Sequence, residues 1–186
     1  MNLRLLLVLL ISGVVSSCAR YESVSFQPDL WAGPLEIEGV PNLHKVNDNL
    51  YRSGQPTAEG MKNLEALGVK TVINLRAFHD DDDELKGTAL RKADIPMYAW
   101  SPMEEAAQKF ISFTSDVNKG PFLVHCMHGS DRTGSMVALY RVSQEGWVPD
   151  EAVREMLYGG FGFHKIWQPL IRWTTQQAQQ AIALHR

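Results

Sequence analysis

Cys126 and Arg132 stand with Met127-His128-Gly129-Ser130-Asp131 between them. A cysteine and an arginine at this spacing are suited to phosphoryl chemistry. A thiolate is a strong nucleophile, and the planar arginine fork clamps two phosphate oxygens at once. The setting reinforces the pair. Pro121-Phe122-Leu123-Val124 is an apolar run that predicts a short buried strand, and Met136, Val137, Leu139 and Tyr140 recur at helical spacing after the loop. A loop that leads from a strand into a helix N-terminus aims free backbone N–H groups and the positive dipole end at one spot, which makes an anion site. The same field favours a thiolate. Gly129 permits a positive φ where a side chain would clash. On this reading Cys126 and Arg132 act chemically, and the loop residues Met127, His128, Gly129, Ser130, Asp131 and Arg132 hold phosphate.

The longer string His125-Cys126-x-x-Gly129-x-x-Arg132-Thr133-Gly134 resembles the signature of the cysteine-based protein tyrosine phosphatases, specifically their dual-specificity branch. Leu50-Tyr51-Arg52-Ser53-Gly54-Gln55-Pro56, with the helix after it and Thr71-Val72-Ile73-Asn74-Leu75-Arg76, resembles bacterial dual-specificity-like phosphatases. The similarity extends over residues 50–173. It implies that Cys126 attacks a phosphate monoester and forms a phosphocysteine that water then hydrolyses. Arg132 and the loop amides would bind the equatorial oxygens, where transition-state charge spreads. By the same resemblance Thr133 gives its hydroxyl to the sulfur, and His125 supports the loop. Protein phosphotyrosine or phosphoserine is the implied substrate. Phosphoinositides or inositol phosphates are the enzymatic alternative, and a non-catalytic phosphate-binding module is the other. An intact thiol beside Arg132 and Thr133 argues against a pure binder. No cofactor and no metal are implied.

The leaving oxygen needs a proton donor within hydrogen-bond reach, and here the sequence departs from the family pattern. Many relatives carry an aspartate in the loop after the preceding strand. That loop reads Ala99-Trp100-Ser101-Pro102-Met103-Glu104-Glu105, without one. Asp94 precedes the expected strand Ile95–Trp100, which would put it at the far end of the sheet. Asp131 ranks first as the acid, because myotubularin-like and Sac-like phosphatases are similar in carrying Asp-Arg-Thr there. Glu105 ranks second, and Glu104 is better explained by helix capping. Asp131 could equally be a helix N-cap that partners Arg132. His128 is either a cation beside the ligand or a solvent-facing loop residue.

Other acids and aromatics have plainer readings. Asp80 to Asp83 with Glu84 read as a solvated loop leading a helix over residues 84–93, because consecutive acids lack calcium-ligand spacing. Arg76 is expected to pair with that run. His125, Cys126 and His128 lack a fourth ligand for zinc. Trp147, Trp167 and Trp173 fall in apolar helical settings and are assigned to the core.

The chain of 186 residues, with a formal net charge of −3, holds one domain plus extensions and offers no wide basic face for nucleic acid. Residues 1–17 read as a signal peptide, with Arg4 ahead of an apolar core over residues 5–15 that is too short to span a bilayer. Val15-Ser16-Ser17-Cys18 resembles a bacterial lipobox, which implies a lipidated Cys18. Ala19, rather than Asp, after it implies the outer membrane of a Gram-negative cell. A plain signal peptide and an uncleaved anchor are the alternatives. The expected layout is therefore a lipid-anchored tether over 18–35 and a phosphatase domain over 36–186, facing the periplasm, with membrane contact only through the lipid. Trp31 is expected to dock on the domain.

The positioning elements follow from local pattern. A helix from Thr57 to a Gly68 stop precedes a strand over residues 69–75. Ser101-Pro102-Met103-Glu104 looks like a capping box that opens a helix reaching Gly120. Helices are also expected from Arg132 to Glu145, over 149–157, and from Gln168 on. Strands alternating with helices predict an α/β fold with a mainly parallel central sheet flanked by helices.

Overall fold

The computed structural model describes residues 28–183; the signal segment, Cys18 and residues 19–27 lie outside the described residues. Six strands form one sheet: β1 (Gly33–Pro34), β2 (His44–Lys45), β3 (Leu50–Ser53), β4 (Thr71–Arg76), β5 (Arg91–Met97) and β6 (Phe122–His125). Their spatial order is β1-β2-β3-β6-β4-β5. The first three pair antiparallel, and β3-β6-β4-β5 pair parallel. β6, which delivers Cys126, is thus central and buried at every position, as a strand covered on both faces must be.

Alternation along the strands divides the core in two. Tyr51, Val72 and Leu123 face one side with Met61 and Leu64 of α1 (Ala58–Leu67). Leu50, Ile73, Leu75, Phe122 and Val124 face the other, against α2 (Glu104–Thr114), α3 (Asp131–Glu145), α4 (Pro149–Tyr158) and α5 (Gln168–Ala183). α3 carries almost no polar face, because it is the central helix and packs against α2, α4 and α5. Thr57 caps α1 by accepting from the Gly60 N–H at 3.1 Å, and Gly68 ends it at φ +101°. Gly146 ends α3 at φ +71°. No helix among the described residues is long and apolar enough to cross a membrane.

Several local expectations are overturned. Residues 84–90 are turns and coil. Asp81 is drawn into the interior, Gly87 takes φ +80°, and Leu85 and Leu90 lie on the α1-side core instead of lining a helix. β5 accordingly starts at Arg91, and its register with β4 breaks between Asn74 and Arg76, opposite Pro96, which has no N–H for the ladder. Asp94 therefore lies within β5, not before it, and pairs with Lys92 at 3.4 Å. The capping box does not form: α2 begins after an N-cap at Met103 that makes no side-chain bond, and Glu104 accepts from Gln108 instead. α2 also stops at Thr114, with a separate 3₁₀ turn, Val117–Lys119, capped by Asp116. Residues 28–34, read as the end of a tether, are part of the domain. Trp31 Nε1 donates to Glu151 at 2.8 Å and the Ala32 N–H donates to buried Glu155 at 2.7 Å.

Candidate active site

The loop between β6 and α3 is fixed from behind through its carbonyls. The Met127 carbonyl accepts from the Gln55 N–H at 3.2 Å. The His128 carbonyl accepts from Asn42 Nδ2 at 2.9 Å, and the Gly129 carbonyl from Arg52 Nη2 at 2.8 Å. A trans peptide plane points its N–H opposite to its C=O. Three successive carbonyls turned back therefore turn the N–H groups of His128, Gly129 and Ser130 to the concave side. Among the described residues, no protein group accepts from the backbone N–H of Met127 through Arg132. The result is an anion-binding nest at a helix N-terminus. Cys126 sits at its start, 3% exposed and with a free thiol.

Gly129 takes φ +73°, and a Cβ there would lie 2.4 Å from the Ser53 carbonyl carbon. The turn is thus pressed onto the end of β3, where only glycine fits. Asn42, itself at φ +54°, also donates to the Phe161 carbonyl at 3.0 Å. Ser130 Oγ donates to that same carbonyl at 2.8 Å, so the loop and the glycine-rich turn of residues 159–163 are tied together. Arg132 has one long bond, from Nη1 to the Met97 carbonyl at 3.5 Å, and otherwise faces the cleft. Thr133 Oγ1 is buried without a hydrogen-bond partner, so the bond to Cys126 implied by the resemblance is not formed.

Two charged side chains under the loop are fully buried. Arg52 packs its guanidinium 3.7 Å from the Phe161 ring centroid, and its Nε and Nη1 have no partner among the described residues. Burial pushes its pKa down to about 10, opposed by Glu155 and Cys126, so it stays cationic at neutral pH. Asp81 accepts from His125 Nε2 at 2.8 Å and from Gln55 Nε2 at 2.8 Å. Burial alone would raise the Asp81 carboxyl. The hydrogen bonds from His125 and Gln55, with the charges of His125 and His79, outweigh it and hold the group below the usual carboxylate range. One member of the aspartate run is therefore structural support for His125 rather than a solvated acid. Arg76 does not pair with that run; its Nη1 donates to Gln55 Oε1 at 2.8 Å. His79, Asp81 and Glu84 bring one ligand atom each within 4.8 Å of one another, but both Asp81 oxygens are already engaged.

The loop opens into a cleft of ≈ 520 Å³. Arg76, His128, Arg132 and His164 give it a polar floor, and Phe78, Tyr98, Trp100 and Ile166 an apolar wall. Tyr98 lies between Phe78 and Trp100, tilted against both, with ring centroids 5.6 and 5.0 Å away. Phe78 is 84% exposed and Trp100 60%, an unusual display of aromatic surface beside an anion site.

Comparison with known proteins agrees with this geometry. Residues 38–168 match a family model described as DSP-PTPase phosphatase fused to NAD+ kinase. The chain belongs to this family. The dual specificity protein phosphatase TpbA of Pseudomonas aeruginosa strain PAO1 is 34% identical over 143 residues, spanning 76% of this chain and 64% of the relative. Its counterpart in strain UCBPP-PA14 is 32% identical over 162 residues, 86% of this chain and 73% of the relative. A crystal structure of Pseudomonas TpbA, a cysteine-to-serine variant in complex with phosphotyrosine, superposes with TM-score 0.70 at 28% identity and covers 83% of this chain and 96% of the other. Inositol diphosphatase DSP5 of Arabidopsis thaliana is 30% identical over 127 residues, 62% of this chain and 60% of the relative. The α/β architecture, a mixed and mostly parallel sheet with flanking helices, is that of the cysteine-based phosphatases.

Within this family frame the sequence-derived acids separate. Glu105 is exposed on the first turn of α2 and does not line the cleft, and Glu104 likewise faces away from it. Asp131 does line the cleft, yet its two oxygens accept from the His164 N–H at 2.8 Å and from His164 Nδ1 at 3.0 Å. It partners His164, not Arg132. His128 is solvent-facing at the cleft, its ring centroid 6.0 Å from that of His164. His125, engaged by Asp81, is not free to bind metal with Cys126. Trp147 and Trp173 pack on the core as expected, while Trp167 packs there and also lines the cleft. Asn42, Arg52, Asp81 and His164 belong to the site without a local signal for it in the sequence, save that a lone arginine between Tyr51 and Ser53 in an apolar strand marks Arg52.

Proposed function

We propose that this chain is a cysteine-dependent phosphatase whose preferred substrate is a protein phosphotyrosine. The carrying observation is the ring of inward N–H groups, held by Gln55, Asn42 and Arg52, around the Cys126 thiol and Arg132. In the first step Cys126 Sγ forms a bond to phosphorus as the bond to the leaving oxygen breaks. The nest and Arg132 bind the three equatorial oxygens, whose charge is greatest in the transition state. In the second step water attacks phosphorus and the sulfur leaves, with the free Thr133 hydroxyl available to stabilise it. The aromatic wall beside the nest suits an aryl leaving group, in keeping with the phosphotyrosine complex of TpbA. A second reading, an inositol phosphate or diphosphate substrate, draws on the four basic-type side chains of the cleft floor and the likeness to DSP5.

The purified protein is expected to hydrolyse para-nitrophenyl phosphate in the presence of chelator, and Cys126→Ser is expected to lose that turnover. A phosphotyrosine peptide should be turned over with higher kcat/KM than phosphoserine or inositol polyphosphates. Equal turnover by Cys126→Ser would overturn the assignment. A preference for inositol polyphosphates would replace the first substrate reading by the second. We further propose export to the periplasm with lipid on Cys18, supported by the lipobox-like residues 15–18. Metabolic labelling with a fatty-acid probe should mark the wild type and not Cys18→Ala; equal labelling would refute it.

A further inference from the structure

We infer that His164, held by Asp131, is the proton donor to the leaving oxygen. The inference rests on the phosphatase reading and fills the gap left by the missing acid-loop aspartate. Asp131 stands in the first turn of α3 and is buried, and its carboxylate accepts from His164 twice, through the backbone N–H and through Nδ1. A group that serves as acceptor on both oxygens is badly placed to give a proton away. The same bonds do something else for His164. With Nδ1–H donated to Asp131, the tautomer is fixed and Nε2 is the nitrogen left to exchange a proton, the arrangement in which a carboxylate orients a catalytic imidazole.

The position of His164 is fixed independently. The turn that carries it bends through Gly160 at φ +85° and Gly162 at φ +78°. Its Phe161 carbonyl is held by Ser130 Oγ and Asn42 Nδ2, and its Phe161 ring by Arg52. Each of these groups also holds or belongs to the phosphate loop, so the turn that carries His164 and the loop share their supports. The imidazole is half exposed and lines the cleft with Arg132 and Met127. Lys165, next in sequence, is turned away onto the Tyr158 ring at 4.6 Å and does not compete for the site.

The proton balance is complete. As Cys126 Sγ bonds to phosphorus and the P–O bond breaks, the Nε2 proton of the imidazolium passes to the leaving oxygen. The alcohol or phenol departs neutral, and a neutral imidazole remains bonded to Asp131. In the second step that Nε2 takes a proton from the attacking water as the P–S bond breaks, which restores the imidazolium.

Leaving-group dependence tests this directly. Phenolate needs the proton far more than para-nitrophenolate. His164→Ala and His164→Gln should lower kcat/KM for phenyl phosphate by about 10²-fold, and at least about tenfold more than for para-nitrophenyl phosphate. Asp131→Asn should show the same selectivity, less strongly. Added imidazole should restore phenyl phosphate turnover to His164→Ala. Equal losses with both substrates in the two His164 variants, or no rescue, would overturn the inference. Cys126→Ser, inactive on both, would leave the phosphatase reading standing in that case. A wild type inactive on both substrates would overturn that reading instead, and the inference with it.

Discussion

Gly129→Ala should disable the site far more than it unfolds the protein, and the structure provides a matched control. Gly129 and Gly146 take nearly the same positive φ, +73° and +71°. An alanine in that region costs about 1–2 kcal/mol at either position. Their surroundings differ completely. At Gly146 a Cβ meets nothing within 4 Å, whereas at Gly129 it would lie 2.4 Å from Ser53 C and 2.5 Å from Gly54 N, both backbone atoms that cannot rotate away. Ordinary contact begins at 3.4 Å, so the loop must retreat from β3 by about 1 Å. Displacement on that scale costs about 10²-fold in rate when the moved groups bind the reacting atoms. Gly146→Ala should therefore lose about 2–8 °C in Tm with unchanged kcat/KM on para-nitrophenyl phosphate. Gly129→Ala should lose somewhat more in Tm and about 10²-fold in kcat/KM. Thermal melts and initial rates on the two proteins give the comparison. A Gly129→Ala enzyme within a few-fold of wild type, or equal activity losses in both variants, would refute the account of how the loop is held.

Two further perturbations probe the buried supports. Arg52→Met removes the donor to the Gly129 carbonyl but also a buried charge whose Nε and Nη1 have no hydrogen-bond partner among the described residues. Because such a charge is costly to bury, its removal should largely offset the lost hydrogen bond, so melting should change little while kcat/KM falls tenfold or more. Wild-type rates would show that Arg52 does not hold the loop. Asp81→Asn should cost about 2 kcal/mol at neutral pH, or about 4–8 °C in Tm, because His125 loses its carboxylate partner inside the fold. The sign with pH is fixed by the lowered Asp81 value. Its contribution is fully present above the unfolded carboxyl pKa of about 4 and is lost as pH falls through the folded value. The gap between wild type and Asp81→Asn should thus narrow below about pH 4, and a gap independent of pH would contradict the assignment.

The parts of the molecule that were legible in the sequence are those that local pattern encodes. β6, the loop and α3 are contiguous, and Thr57, Gly68 and Gly146 mark helix ends through their own backbone and side-chain chemistry. The groups that hold the loop come from elsewhere: Arg52 is 77 residues from Gly129, Asn42 is 86 from His128, and Asp81 is 44 from His125. Nothing in the spacing of single residues reports such pairings. The aspartate run misled for the same reason. Its composition looks solvated, and only the tertiary fold brings His125 to Asp81 and turns that one carboxylate inward. His164 follows the glycine-rich turn of residues 159–163, where no local pattern marks it, and its value comes from Asp131, 33 residues before it. Strand β5 and helix α2 slipped because Pro96 interrupts one ladder and Ser101 never reaches the helix it was expected to cap.

In the proposed reaction, phosphorus must pass through the sulfur of Cys126 inside the amide nest. Rapid acid quench of the enzyme during turnover of a phosphotyrosine peptide, followed by peptide mapping by mass spectrometry, tests this most directly. A phosphoryl group is predicted on the peptide containing Cys126, and it should accumulate when His164 is replaced only if the second step slows more than the first. Steady turnover with Cys126 never phosphorylated, at any quench time, would contradict the central claim.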